Sequence, residues 1–253
     1  MNDHDAIVGG GLHGSLAGQT VVVIGGSSGI GFETARLARS QGADLILVGR
    51  NPERLQQVAR ELGARSSAAF DVIDFDRLGR FFDELPNQVD HIMVTSGGPY
   101  YARLADIDFS RARINFDASF WARLHIARCA IGKVRAGGTL LFIGGTGGRR
   151  AAAGTLTAAL TAAIPALTKA LALELAPIRV NLIAPGFVDT PLSASLLGDQ
   201  LNARREQLQR TLPIGRVVGP ADIAALALHL MTNTAITGAT CDIDGGQQLV
   251  DGS

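Results

Sequence analysis

Three glycines, an arginine and an aspartate mark where this chain could do chemistry. Gly25, Gly29 and Gly31 form a GxxxGxG turn within "VVVIGGSSGIGFETARLARSQGADLILVGR", directly between an apolar run and an amphipathic one. Bare backbone there lets N–H groups and a helix N-terminus approach a pyrophosphate that side chains would hold away. Ser27, Ser28 and Ile30 lie between the glycines and complete the expected phosphate-binding turn. The next apolar run ends "LVGR", so Gly49 stands where a carboxylate would take a ribose 2′-hydroxyl, and Arg50 follows it. A carboxylate would repel a 2′-phosphate, whereas a guanidinium pairs with it through a forked contact. NADP(H) is therefore expected over NAD(H). Further on, Asp71 and Val72 in "FDVID" suit hydrogen bonding and packing of an adenine at a strand's carboxyl end.

The elements that must position these residues alternate in type. From Gln19 onward short apolar runs alternate with longer amphipathic ones, the βα rhythm of a parallel sheet covered on both faces. The strand candidates are "TVVVIG", "DLILVG", "SAAF", "HIMVTS", "TLLFIG", "RVNLIAP" and "TCDID". Helices are expected over 30–41, 52–62, 75–85, roughly 110–134, 157–177 and 220–231, with Pro52 and Pro220 placed where a first helical turn tolerates them. An α/β, doubly wound, Rossmann-like single domain over 16–253 follows. Residues 1–15 read as a flexible lead-in: Gly9, Gly11 and Gly14 satisfy GxGxxG, but no helix fits before the next strand.

Composition narrows the partners. Lys+Arg and Asp+Glu balance at 23 each, so no net field draws the chain to nucleic acid or an anionic membrane. Neither partner is expected. Cys129 and Cys241 belong to no CxxC or Cys/His cluster, which argues against a disulfide framework or a metal site and reads as two buried thiols in a reducing compartment. The N-terminus lacks a signal-peptide pattern, and no later stretch is expected to reach transmembrane length without polar interruption. A cytoplasmic protein is expected.

The motifs together resemble the short-chain dehydrogenase/reductase family over nearly the whole chain. "GGSSGIG" resembles the family's TGxxxGIG, with Ile24 in place of the usual threonine; "RVNLIAPGFVDTP", "GRVVGPADIAALALHLM" and "ITGATCDIDGG" resemble its later blocks. The resemblance implies a seven-stranded parallel sheet and a homo-oligomer, a tetramer or dimer. It places Gly97 beside the cofactor and Pro185, Gly186, Val188 and Thr190 around the nicotinamide. It also matches Asn115 to the helix asparagine that holds a water in the family's proton relay.

Departures accompany it. "TSGG" at 95–98 replaces the common NNAG, and Gly144 and Gly145 fall where the catalytic serine belongs, with Thr146 one place on. Aligning "LTKALALELAP" with the end of the family's catalytic helix puts Thr157 at the tyrosine position and Thr161 at the lysine position. The only tyrosines are Tyr100 and Tyr101 and the only lysines Lys133 and Lys169, so no YxxxK occurs in any register. An aliphatic hydroxyl is too weak an acid and too short to replace a phenol activated by an ammonium. Pro165 has no N–H for the Thr161 carbonyl, so a bend is expected there.

Other candidates are a phenol from Tyr100 or Tyr101, and Arg149 or Arg150 as an anion holder. Asp189 reads as a loop carboxylate, and His91, His125 and His229 as structural. Two functions stay open: an NADP(H)-dependent oxidoreductase of atypical or weak mechanism acting on an unknown small molecule, and a non-catalytic NADP(H)-binding sensor or scaffold.

Overall fold

In β1 (Thr20–Ile24) and β2 (Asp44–Gly49) every residue but Asp44 is buried. Such runs are apolar throughout, rather than alternating, because helices cover both faces of the sheet. The computed structural model describes residues 16–86, 88–149 and 154–250. The lead-in with its glycine triplet, and Arg150, lie outside them. The remaining strands are β3 (Ser66–Ala69), β4 (Val89–Val94), β5 (Val134–Ile143), β6 (Arg179–Pro185) and β7 (Thr240–Ile243). They form one parallel sheet in the order β3-β2-β1-β4-β5-β6-β7.

Adjacent residues along a strand face opposite sides, so the sheet splits its apolar side chains between two cores. Val22, Ile24, Ile46 and Val48 join one core with α3 (Phe75–Glu84), α5 (Ala122–Ala130) and α6 (Thr155–Glu174). Val21, Val23, Leu45 and Leu47 join the other with α1 (Gly29–Ser40), α2 (Pro52–Glu61) and α9 (Pro220–Thr232). Helix starts are set locally. Asn51 accepts the Arg54 N–H at 2.8 Å, Asp74 accepts that of Arg77 at 2.9 Å, and Asp222 accepts that of Gly219 at 2.9 Å. The buried Arg179 donates to the carbonyls of Leu230 and Met231 at 2.7 Å, satisfying the C-terminal turn of α9.

Several expectations are corrected. The long helix over 110–134 is two helices, α4 (Phe109–Phe116) and α5, joined by a π turn at Asp117–Trp121; it ends at Ala130, and Val134 opens β5. The segment 192–211, to which the sequence assigned no element, forms α7 (Pro191–Leu197) and α8 (Leu201–Thr211). Pro165 does not interrupt α6, which stays one 20-residue helix with Thr157, Leu160, Ile164, Thr168 and Leu171 buried along one face. By length and mean hydropathy alone α6 is apolar enough to cross a membrane, the one such helix among the described residues. Its buried stripe instead packs on the sheet. Cys129 and Cys241 are free, as expected, but half-buried rather than buried.

Candidate functional site

The strand order reverses between β1 and β4, and a crevice of about 880 Å³ opens there at the carboxyl edge of the sheet. The glycine turn forms its floor. Gly25 and Gly26 donate to the Val48 carbonyl at 2.8 and 3.0 Å, and Gly25 holds φ +95. A Cβ on Gly31 would collide with the Gly25 carbonyl oxygen, so the first turn of α1 lies directly against the loop. Ser28 precedes that turn in extended backbone and no side chain caps it. The leading N–H groups and the positive end of the α1 dipole are left to an anionic ligand.

Farther along the crevice Gly49 leaves room for Ser27: a Cβ at Gly49 would stand 3.0 Å from Ser27 Oγ. Arg50 and Arg54 line the same rim. Arg50 is exposed and 4.0 Å from Asp71, a long surface contact that leaves it available to a ligand. Arg54 was missed in the sequence reading, although its position four residues after Arg50, in the first turn of α2, was the available signal. Asp71 and the buried Val72 close the far end of the crevice. At the near end the Thr95 hydroxyl lies 3.2 and 3.1 Å from the Ile24 and Gly25 carbonyls, tying β4 to the glycine turn. Gly97, with φ +90, sits against Ser119, and the buried Ser96 Oγ has no partner.

A second space of about 990 Å³ continues from the crevice over β4, β5 and α6, and Ile30 and Thr190 line both. Pro185, Gly186, Val188 and Thr190 all border it. Gly145 opens into it with space to spare, since the nearest atom to a Cβ there would be the Pro185 carbonyl oxygen at 3.7 Å. Thr146 is not its substitute. It is fully buried, with its hydroxyl turned to the Pro185 carbonyl at 3.4 Å.

Thr157 and Thr161 of α6 are engaged in packing. Thr157 donates to the Tyr100 carbonyl at 2.9 Å, pinning the loop after β4 onto the start of the helix. Gly148 packs so closely on Thr161 that a Cβ would collide with the threonine hydroxyl and stand 2.6 Å from the Thr157 carbonyl oxygen. The pinned loop brings Tyr101 over the site: its hydroxyl would lie 3.7 Å from a Cβ on Gly147, in the turn after β5. Partial burial raises the Tyr101 pKa, against an opposing pull from Arg204. The Tyr100 hydroxyl instead accepts the Asp108 N–H at 3.0 Å. Asn115, at the end of α4 just before the π turn, donates from Nδ2 to the Gly98 carbonyl at 2.7 Å, and its buried Oδ1 has no partner.

The sequence profile of a family described as enoyl-(acyl carrier protein) reductase matches residues 24–248. The chain belongs to the short-chain dehydrogenase/reductase family. A 3-oxoacyl-[acyl-carrier-protein] reductase from Chlamydia pneumoniae is 33% identical, over 92% of this chain and 98% of its own length. Among solved structures, a small-chain dehydrogenase in complex with NADPH superposes with a TM-score of 0.79 at 32% identity, covering 92% of this chain and 99% of the other. A 3-oxoacyl-[acyl-carrier protein] reductase with bound NAD from Brucella melitensis superposes with a TM-score of 0.79 at 25% identity, covering 92% of each chain.

In this short-chain dehydrogenase/reductase the remaining ionisable candidates are already occupied. Arg149 forms a forked ion pair with Asp242, and Asp189 pairs with Arg205 at 2.7 and 2.9 Å. His91 is buried with Nε2 2.7 Å from Gln19 Oε1, and burial pushes its pKa down to about 4. His125 stacks on Phe75, and His229 faces Asn233. Among the described residues no group of three His, Cys, Asp or Glu side chains could hold a metal. Gln247, whose Oε1 accepts the Phe187 N–H at 2.9 Å, brings the C-terminal segment to the cavity wall and was missed in sequence.

Proposed function

We propose that this protein is an NADP(H)-dependent oxidoreductase that interconverts a carbonyl and an alcohol without the family's Tyr–Lys pair. The observation that carries the reading is the crevice: a glycine floor that a Cβ would fill, an uncapped helix start, and Ser27, Arg50 and Arg54 together where a 2′-phosphate would lie. The residues fit the dinucleotide. Gly25, Ser28, Gly29, Ile30 and Gly31 hold the pyrophosphate, Asp71 and Val72 the adenine, and Gly97, Pro185, Gly186, Val188 and Thr190 surround the nicotinamide. Bound there, NADP(H) supplies or takes up the hydride.

Tyr101 replaces the missing proton donor. The phenol is protonated at neutral pH, the state needed to give a proton to a carbonyl oxygen placed above Gly145 and Gly147, while partial burial, which raises its pKa, makes it a weaker donor than a phenol activated by an ammonium. As the C=O bond becomes C–O–H, that proton comes from Tyr101 Oη and returns from solvent through the exposed ring edge. Asn115 holds the β4 loop through Gly98 and offers Oδ1 to an ordered water. The exposed Phe109 and Leu173, on α4 and α6, support a homo-oligomer.

A second reading, a non-catalytic NADP(H) sensor or scaffold, is favoured by one observation: the Thr157 hydroxyl is engaged by the Tyr100 carbonyl, and Thr161 lies tight against Gly148. One experiment separates the two. NADPH titration is followed by a turnover screen with carbonyl substrates on wild type, Tyr101→Phe and Tyr100→Phe. The oxidoreductase reading expects turnover that falls about 100- to 10,000-fold in Tyr101→Phe and much less in Tyr100→Phe. Saturable binding with no turnover selects the sensor, and no binding defeats both.

A further inference from the structure

Arg123 is the most unusual charged group in the molecule. It comes from α5, is 5% exposed, and lines the floor of the 990 Å³ cavity between α5, β5 and α6. Its two terminal nitrogens donate to the backbone carbonyls of Ser119 and Ile143, and its guanidinium lies 5.9 Å from the centre of the Phe142 ring. Its Nε is buried with no partner, and among the described residues no carboxylate pairs with it. Burial pushes its pKa down only to about 10, so it is a cation at neutral pH. Carbonyl dipoles and a ring face solvate a guanidinium in part, but a buried charge is costly to hold without a counter-charge.

The surroundings carry the same sign. Arg103, Arg111, Arg149 and Arg204 also line the cavity, together with one carboxylate, Asp106; Arg149 pairs with Asp242. Two further buried polar atoms without partners, Ser96 Oγ and Asn115 Oδ1, belong to residues lining the same space. The cofactor's phosphates have their own cradle at the glycine turn, so this positive charge is not needed for them.

We infer that the cavity takes a substrate bearing a carboxylate, drawn in by the arginine-lined rim and anchored by Arg123. This rests on the oxidoreductase reading and names the substrate class of the same site: an oxo acid, or the corresponding hydroxy acid. A monocarboxylate supplies the counter-charge that this buried guanidinium lacks. A neutral ketone of the same shape would leave the cation without a counter-charge.

The test uses the full chain and two probes of matched shape, levulinate (4-oxopentanoate) and its neutral amide. Binding is measured calorimetrically with and without saturating NADPH, to wild type, Arg123→Met and Arg123→Lys. The expected result is levulinate binding about tenfold or more tighter than the amide in wild type. That preference vanishes in Arg123→Met and returns in part in Arg123→Lys. Arg123→Met is also expected to keep or raise the melting temperature without ligand, because it removes an unpaired buried charge. Equal binding of acid and amide to wild type would overturn the inference whether or not the variants fold. A preference that survives in a folded Arg123→Met would do the same. Failure of NADPH to bind, with the acid preference intact, would instead count against the proposed function and leave the anion site standing.

Discussion

The crevice at the glycine turn and the cavity over α6 lie side by side on one sheet edge, yet they differ in what builds them. Backbone makes the crevice: Gly25, Gly29 and Gly31 are needed because a Cβ would strike the loop or a left-handed φ would strain it. Side chains make the cavity, and those at Gly145, Thr157 and Thr161 supply neither a phenol nor an ammonium. A backbone site cannot lose its function without losing its shape, whereas a side-chain site can exchange its chemistry while the helices around it stay packed. The two halves of one binding site therefore answer to different constraints.

Breaking the backbone half has the largest expected effect. Gly31→Ala drives a methyl into the Gly25 carbonyl oxygen, and overpacking of this kind costs about 3 kcal/mol, roughly a hundredfold in NADPH affinity if the strain is taken up at the turn. Fluorescence titration checks it, and near-wild-type binding would contradict the cradle. A comparable change in stability is expected from pH, at a place remote from both halves. His91 has a folded pKa near 4 against 6.5 when free, so the unfolded chain binds the extra proton between those values. Its contribution is present above about pH 6.5 and lost as pH falls toward 4, at most about 3 kcal/mol. Melting temperature against pH should show this loss in wild type and a flatter profile in His91→Gln. Site variants should keep the wild-type profile, which separates damage to the site from damage to the fold.

Changing charge at the rim is a smaller step. Arg50→Ala and Arg54→Ala are each expected to weaken NADPH by about 1.5–3 kcal/mol while NADH changes little, as measured by parallel titrations. The smallest effect sharpens the side-chain half. Thr157→Tyr with Thr161→Lys restores the family's pair on paper, but the Tyr100 carbonyl and the Gly148 backbone stand where those side chains would go. A loss of about 1 kcal/mol or more in stability with no gain in turnover is expected. A fully stable double variant with new reductase activity would show that the positions had stayed open.

Legibility followed the same division. The glycine turn, Arg50 and the sheet could be read because local chain requirements leave marks in residue type: glycine for close approach, and unbroken apolar runs for strands buried on both faces. The π turn after Asn115 left no such mark, so α4 and α5 were read as one helix running on to Val134. Pro165 lies inside α6, which remains one helix from Thr155 to Glu174 with Leu160, Ile164 and Leu171 buried along it. Gln247 and Arg123 were missed for a common reason. Each reaches the site from an element distant in sequence, and only the folded packing shows that Arg123, placed among the apolar residues of α5, lines the cavity with no carboxylate paired to it among the described residues.

The central claim is that the crevice seats a 2′-phosphorylated dinucleotide. Titrating the purified protein with NADPH and with NADH, followed by the fluorescence of the reduced nicotinamide, tests it most directly. The account predicts saturable binding with NADPH at least about tenfold tighter; equal or tighter binding of NADH, or no binding of either, would contradict it.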